Sequence, residues 1–180
     1  MKQNKLMKSY DTIKTPIGEL MLVASDSKLA GIYFVGCDHL PVAHKQWQRH
    51  AKNPIFRQTK EQLEEYFAGK RTTFSVPLHF AGTDFQERVW RRIALIPYGK
   101  TISYAELARQ AGNPKAIRAA GTSTGRNPLS IIIPCHRVIG KNGAITGYAG
   151  GLDKKQRLLQ LENPKISSAS ITRTVEGQMI

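Results

Sequence analysis

Apolar and polar positions alternate through Tyr10 to Lys14, Glu19 to Ala24 and Leu29 to Val35, with turn residues at Thr15-Pro16-Ile17-Gly18 and Ser25-Asp26-Ser27 between them. A period of two broken by short turns predicts a three-stranded antiparallel meander. Such a meander is marginal alone, so one face needs a cover. Thr59-Lys60-Glu61-Gln62 has capping-box spacing and predicts a covering helix, on which Leu63, Tyr66 and Phe67 share a face and which Gly69 stops. A second helix is expected over Val42 to Ala51. Arg71 to Gly82, with Pro77 and Gly82 as breakers, reads as a crossing segment. A boundary there makes residues 1–80 an N-terminal α/β domain with a structural role.

The pattern then changes to helical. Thr83-Asp84-Phe85-Gln86 is a capping box, and Phe85, Val89, Ile93 and Ile96 recur on one side until Pro97-Tyr98-Gly99-Lys100. Ser103-Tyr104-Ala105-Glu106 has the same spacing ahead of a helix that breaks at Gly112. Asn113 suits an N-cap and Pro114 the first position of the next helix. Two helices joined by this tight turn predict a helix-turn-helix, with Lys115 to Gly121 as its second helix. Ala116, Ala119, Ala120 and Gly121 would let that backbone approach DNA closely, with Lys115 and Arg118 as cations; the same small residues also suit a helix packed in a core. Thr122 to Asn127 is a polar exit. Leu129 to Ile133 is short, apolar and β-branched, which predicts a strand covered on both faces and ended by Pro134. Asn142-Gly143 marks a turn, Gly147-Tyr148-Ala149-Gly150-Gly151 a flexible loop, and Asp153 the start of a last helix with Leu158, Leu159 and Leu161 inward. Residues 164–180 read as a mobile tail. The fold class is α/β (α+β), a small antiparallel sheet with helices followed by a mainly helical, winged-helix-like domain.

Candidate chemistry sits at the end of the Leu129–Ile133 run, where Cys135 and His136 are neighbours. Strand side chains alternate, so the two meet only if the chain turns there or a water bridges them. The dipeptide alone also fits a buried structural thiol beside a satisfied histidine. The net charge of +14 points to a polyanionic partner, nucleic acid or anionic membrane. From Thr83 to Glu162 there are thirteen Lys or Arg and five Asp or Glu, a net of +8, so the excess is spread along the chain. No apolar run approaches transmembrane length and Met1 to Lys8 lacks a signal-like segment, so a cytosolic, reducing compartment is expected, with Cys37 and Cys135 as thiols. Cys37 lies near His39 and His44, but without a Cys-x-x-Cys pair or a second ligand cluster no metal is expected.

Ile133-Pro134-Cys135-His136-Arg137-Val138, with Asn127-Pro128 before it and Gly147-Tyr148-Ala149-Gly150-Gly151 after it, resembles the O6-alkylguanine-DNA alkyltransferases in their short bacterial-type form. The resemblance runs from about Thr83 to Glu162, and its Pro-Cys-His-Arg-Val core is highly specific. It implies direct-reversal DNA repair: an alkyl group passes from O6 of guanine, and from O4-alkylthymine in some cases, irreversibly to Cys135, once per molecule and without a cofactor. It implies a catalytic, DNA-binding domain over residues 81–163, acting as a monomer on double-stranded DNA with no obligate protein partner. By the same resemblance His136 accepts the thiol proton through a water, Glu162 orients His136, Asn127 braces the turn and Tyr104 delivers a proton to the leaving base. Arg118 fills the gap left by a flipped nucleotide, with Lys115 and Ala119 on the same minor-groove helix. Tyr148, Val138, Ala149 and Gly150 line the base pocket, where Ala149 replaces a serine found in some relatives. Glu162 by itself would read as a solvated carboxylate at a helix end.

Two rival readings remain at this level. One is a DNA-binding lesion sensor or regulator without transfer, whose relatives lack the cysteine this chain keeps. The other is a cysteine hydrolase, which would turn over repeatedly.

Overall fold

Lys8–Thr15 (β1), Gly18–Ser25 (β2) and Lys28–Phe34 (β3) form the expected antiparallel meander in a computed structural model that describes residues 8–37, 40–41 and 46–166. Gln48–Arg49 (β4) adds a short parallel strand beside β1, giving the order β3-β2-β1-β4. The helix expected over Val42 to Ala51 is therefore replaced, in its described part, by that strand; residues 42–45 lie outside the described residues, as do His39, His44 and the first seven residues. The chain divides into two compact units, residues 1–81 and 82–180.

In the first unit the covering helix is Pro54–Phe67 (α1), beginning earlier than Thr59. Asn53 caps it, its side chain accepting from the Ile55 N–H, and Pro54 supplies the first position. Thr59 lies inside the helix, fully buried, and its hydroxyl donates to the Ile55 carbonyl 2.7 Å away. The capping-box spacing misled because a threonine can satisfy itself on the preceding turn. Ile55, Phe56, Leu63 and Tyr66 of α1 are buried with Leu20, Leu22 and Ile32 of the sheet. Asp11 is buried among them, and although burial pushes its carboxyl up, Lys60 and Arg49 hold it below its ordinary range.

In the second unit Asp84–Ala94 (α2) starts at the predicted box, with Gln86 N–H donating to Thr83 and Thr83 N–H to Gln86. Val89, Trp90 and Ile93 form its buried face, each worth about 1.5–3 kcal/mol relative to exposure. Ile102–Ser103 (β5) leads into Tyr104–Gln110 (α3), capped by Ser103. Only half of that box forms, because Glu106 turns to Arg109 and Gln110 instead of reaching back. The next helix is Ile117–Gly125 (α4), three residues later than Asn113 and Pro114 suggested. Asn113 caps a preceding turn, accepting from the Lys115 N–H, and the helix absorbs the supposed polar exit as far as Gly125. Ser123 and Thr124 continue it by donating to the Ala119 and Ala120 carbonyls.

Leu129 to Ile133 is not a strand. It is a buried tight turn, with Ile131 at φ 74° and a lone bridge between Ser130 and Ile133. A 3-10 turn, Cys135–Arg137, follows, then Val138–Ile139 (β6), paired in parallel with β5. Leu152–Glu162 (α5) closes the unit with Lys155, Leu158, Leu159 and Glu162 buried, while Leu161 is half-buried. Of the expected tail, residues 167–180 lie outside the described residues.

Candidate active site

The buried turn before Cys135 is held by one side chain. Asn127 Nδ2 donates to the Ile133 carbonyl at 2.8 Å, and its Oδ1 accepts from the Leu129 N–H at 3.0 Å. A β-branched residue in the left-handed region costs on the order of 1–3 kcal/mol, which this clamp and the complete burial of Ile131 sustain. The reversal presents Cys135 at the first position of the 3-10 turn, 4% exposed. The chain therefore turns at Cys135 and does not continue as a strand.

His136 is fully buried, and its Nε2 lies 2.7 Å from Glu162 Oε1. Arg137 binds the same carboxylate twice, Nε to Oε2 at 2.8 Å and Nη2 to Oε1 at 2.9 Å, and its Nη1 donates to the Ile96 carbonyl at 2.5 Å. The Gly99 N–H adds a fourth donor to Glu162, at 3.2 Å to Oε2. Glu162 is thus buried and fully engaged, not solvated at a helix end. Burial pushes its carboxyl up, but the His136 and Arg137 hydrogen bonds prevail and hold it well below the usual carboxylate range. An ionised carboxylate only accepts, so Nε2 carries the hydrogen and Nδ1 keeps its lone pair. Nδ1 is buried and makes no hydrogen bond to the described protein. Burial lowers the His136 pKa despite Glu162, so the imidazole is neutral and able to accept a proton. Burial pushes the Cys135 thiol up, opposed by Asn127 and by the charge of Lys155.

Tyr104, the first residue of α3, lies close to Gly121 of α4 and to the Thr146–Gly147 loop. The β5–β6 pairing sets Ile102 beside Val138, and the Tyr104 hydroxyl donates to the Thr146 carbonyl at 3.3 Å. A Cβ on Gly121 of α4 would lie 3.7 Å from its ring, and one on Gly147 would lie 3.8 Å from its hydroxyl. Burial raises its pKa, and proximity to Cys135 adds to that. Arg118 lies one helical turn before Gly121, on the same side of α4, and is exposed. It lines a groove of about 580 Å³ with Lys115, Ala119 and Arg126. Val138 is fully buried, Tyr148 and Ala149 are half-buried and Gly150 is buried; the Gly151 N–H closes the loop on the Tyr148 carbonyl at 3.0 Å.

Residues 84–164 match the family described as 6-O-methylguanine DNA methyltransferase, DNA binding domain, and residues 8–80 match its ribonuclease-like domain. The chain belongs to the 6-O-methylguanine DNA methyltransferase family. A methylated-DNA–protein-cysteine methyltransferase of Mycolicibacterium paratuberculosis is 46% identical over 166 residues, covering 92% of this chain and 98% of that protein. The constitutive enzyme of Bacillus subtilis is 44% identical, covering 87% and 96%. Among solved structures, the OGT of Mycobacterium tuberculosis in complex with DNA superimposes with a TM-score of 0.80 at 44% identity, covering 90% of this chain and 96% of that one.

Sequence reasoning left Arg137, Gly99 and Lys155 of this chain without a role. Arg137 gave no signal beyond its place in the motif. Lys155 did give one: it precedes Leu158, Leu159 and Glu162 by three, four and seven residues, the spacing of a single buried helix face.

Proposed function

We propose that this chain repairs alkylated DNA by moving the alkyl group from O6 of guanine to Cys135, once per molecule. The observation that carries the reading is the buried His136–Glu162–Arg137 array, which leaves Nδ1 of a neutral imidazole available beside a nucleophilic thiol. A thiol raised by burial is almost wholly protonated at neutral pH, so a base is needed. The thiol proton passes through a bridging water to Nδ1, and the electron pair left on sulfur attacks the alkyl carbon. The S–C bond forms as the C–O6 bond breaks, the departing guanine takes a proton from the Tyr104 hydroxyl, and the proton held on His136 returns through water to the Tyr104 phenolate. The product is an unactivated alkyl thioether, from which water cannot displace the thiolate at neutral pH, and this makes the reaction stoichiometric.

A base inside a duplex is out of reach, so the nucleotide leaves the stack at a cost of a few kcal/mol. Arg118, exposed on α4 one turn before Gly121, fills the vacated position, and Lys115 holds the phosphates. Ala119, a small residue in the same groove, lets the helix lie close to DNA. With Cys135 only 4% exposed, the glycine-bearing loop over residues 148–151 gives way to admit the base between Tyr148, Val138, Ala149 and Gly150. Ala149 offers no hydroxyl, so recognition relies on backbone and shape, and O4-alkylthymine is accepted as a secondary substrate; strict guanine preference in direct competition would remove that extension. Residues 1–80 serve as a structural domain, residues 81–163 carry catalysis and DNA binding, and the protein works as a cytosolic monomer. Among the described residues no helix is long and apolar enough to cross a membrane.

The discriminating experiment is Cys135→Ala, expected to retain affinity for methylated duplex and to transfer nothing. Continued transfer would refute the assignment, and more than one turnover by the parent protein would favour a hydrolase.

A further inference from the structure

Lys155 is the one lysine of α5 that is fully buried, 0% exposed. Its Nζ donates to three backbone carbonyls, Val138 at 2.6 Å, Thr146 at 2.6 Å and Gly147 at 3.3 Å. Three acceptors take three N–H groups, which only the ammonium possesses; a neutral amine would turn its lone pair onto a carbonyl oxygen. The geometry therefore specifies a cation in the interior. Among the described residues no carboxylate lies within ion-pair distance of it, and Glu162, two turns further along the same face, is occupied by His136 and Arg137. A buried cation without an anion is costly unless something nearby supplies the charge.

The titratable groups that face Lys155 come from two other elements. Tyr104 of α3 presents its ring 5.8 Å from Nζ, and the 3-10 turn presents Cys135 and His136, on both of which the Lys155 charge acts. Tyr104 and His136 are neutral near pH 7 for the reasons given above. At the attacking stage, before the C–O6 bond breaks, Cys135 is the one of these three groups that carries a negative charge. We propose that Lys155 is the counter-ion of the Cys135 thiolate, a positioning residue whose fixed charge stabilises the nucleophile and whose three hydrogen bonds pin the Thr146–Gly147 loop to Val138. The proposal rests on Cys135 being the nucleophile and divides the labour: His136 takes the proton, and Lys155 holds the charge that remains. When the S–C bond forms, sulfur becomes a neutral thioether and Lys155 loses its partner. Burial already brings the Lys155 amine down to about 8, with Cys135 opposing the fall. Alkylation removes that opposition, so the amine releases its proton more readily in the product.

The test is the pH profile of Cys135 alkylation by iodoacetamide, a small neutral electrophile that needs no DNA, followed on the Cys135 peptide by mass spectrometry. In Lys155→Met the profile is expected to move up by about one unit, a roughly tenfold loss of rate near neutral pH, with the high-pH plateau retained. A superimposable profile, or an equal loss at every pH, would overturn the proposal, the latter being what lost packing alone would produce. Should the variant lack a cooperative melting transition, the unaltered protein decides: the Lys155 side-chain resonance is titrated by NMR before and after methylation by DNA. A lower amine pKa after methylation is expected, and an unchanged one refutes the counter-ion role. Failure of the underlying reading is separable, because it appears as methyl from DNA arriving somewhere other than Cys135.

Discussion

Replacing Glu162 by glutamine tests the organisation of the site from within. The carboxylate is buried and accepts from His136, twice from Arg137 and from the Gly99 N–H. Glutamine keeps the shape and one acceptor oxygen but removes the charge, leaving the Arg137 guanidinium buried and unpaired. Breaking a buried pair by removing one partner costs about 3–5 kcal/mol, and the surviving acceptor argues for the lower end. At about 4–8 °C per kcal/mol for a unit of this size, Tm should fall by about 12 °C or more. Catalysis should suffer separately. A glutamine NH2 facing Nε2 forces the hydrogen onto Nδ1, which then cannot accept the thiol proton, so transfer should slow by about 10²–10⁴-fold. The pH dependence has a defined sign. Glu162 has a folded pKa below its unfolded value, so its contribution is complete above about pH 4.3 and is lost as pH falls through the folded value. Calorimetry from neutral pH into the acid range should show that loss in the parent and not in Glu162→Gln. A variant within about 2 °C of the parent and with an undiminished rate would refute the argument.

Other outcomes follow from the same geometry. Asn127→Ala removes two buried hydrogen bonds from the turn before Cys135 and should cost about 2–4 kcal/mol by chemical denaturation, with a higher thiol pKa. Arg118→Ala, at an exposed position, should leave Tm unchanged and slow repair of duplex by about 10–100-fold through the uncompensated unstacking, while reaction with the free O6-alkylguanine base is unaffected; equal losses on both would remove Arg118 from the flipping step. His136, lowered by burial, stays neutral below its unfolded value, so the rate should show no midpoint near pH 6.5; such a midpoint would mean that the imidazole titrates freely. DNA affinity should weaken with salt, each phosphate neutralised by Lys115, Arg118 or Arg126 adding about −0.9 to the log–log slope; a slope near zero would exclude their groove as the contact surface.

The elements legible in the sequence were those whose signal is local. The meander followed from alternation and turn residues, and α2 from a capping box that closes as written. Where one residue had two local options the sequence misplaced boundaries: Thr59 bonds to its own helix, and Asn113 caps a turn three residues ahead of α4. The run Leu129 to Ile133 reads as a strand because burial and β-branching are common to strands and buried turns. Nothing local reveals that Ile131 adopts positive φ under the Asn127 clamp. Resemblance named Cys135, His136 and Glu162 together, while the means of keeping Glu162 ionised in the interior lay in Arg137 and Gly99, whose role depends on a partner far along the chain. Lys155 carried a readable trace, a charge on an otherwise inward face of α5, whose meaning needed the three carbonyls around it.

The most direct measurement is intact-mass and peptide analysis after mixing the protein with excess duplex containing O6-methylguanine. The account predicts one added CH2 per molecule, located on the peptide containing Cys135, with no further demethylation once every molecule is modified. Methyl on the Cys37 peptide, or guanine restored in excess of protein, would contradict it.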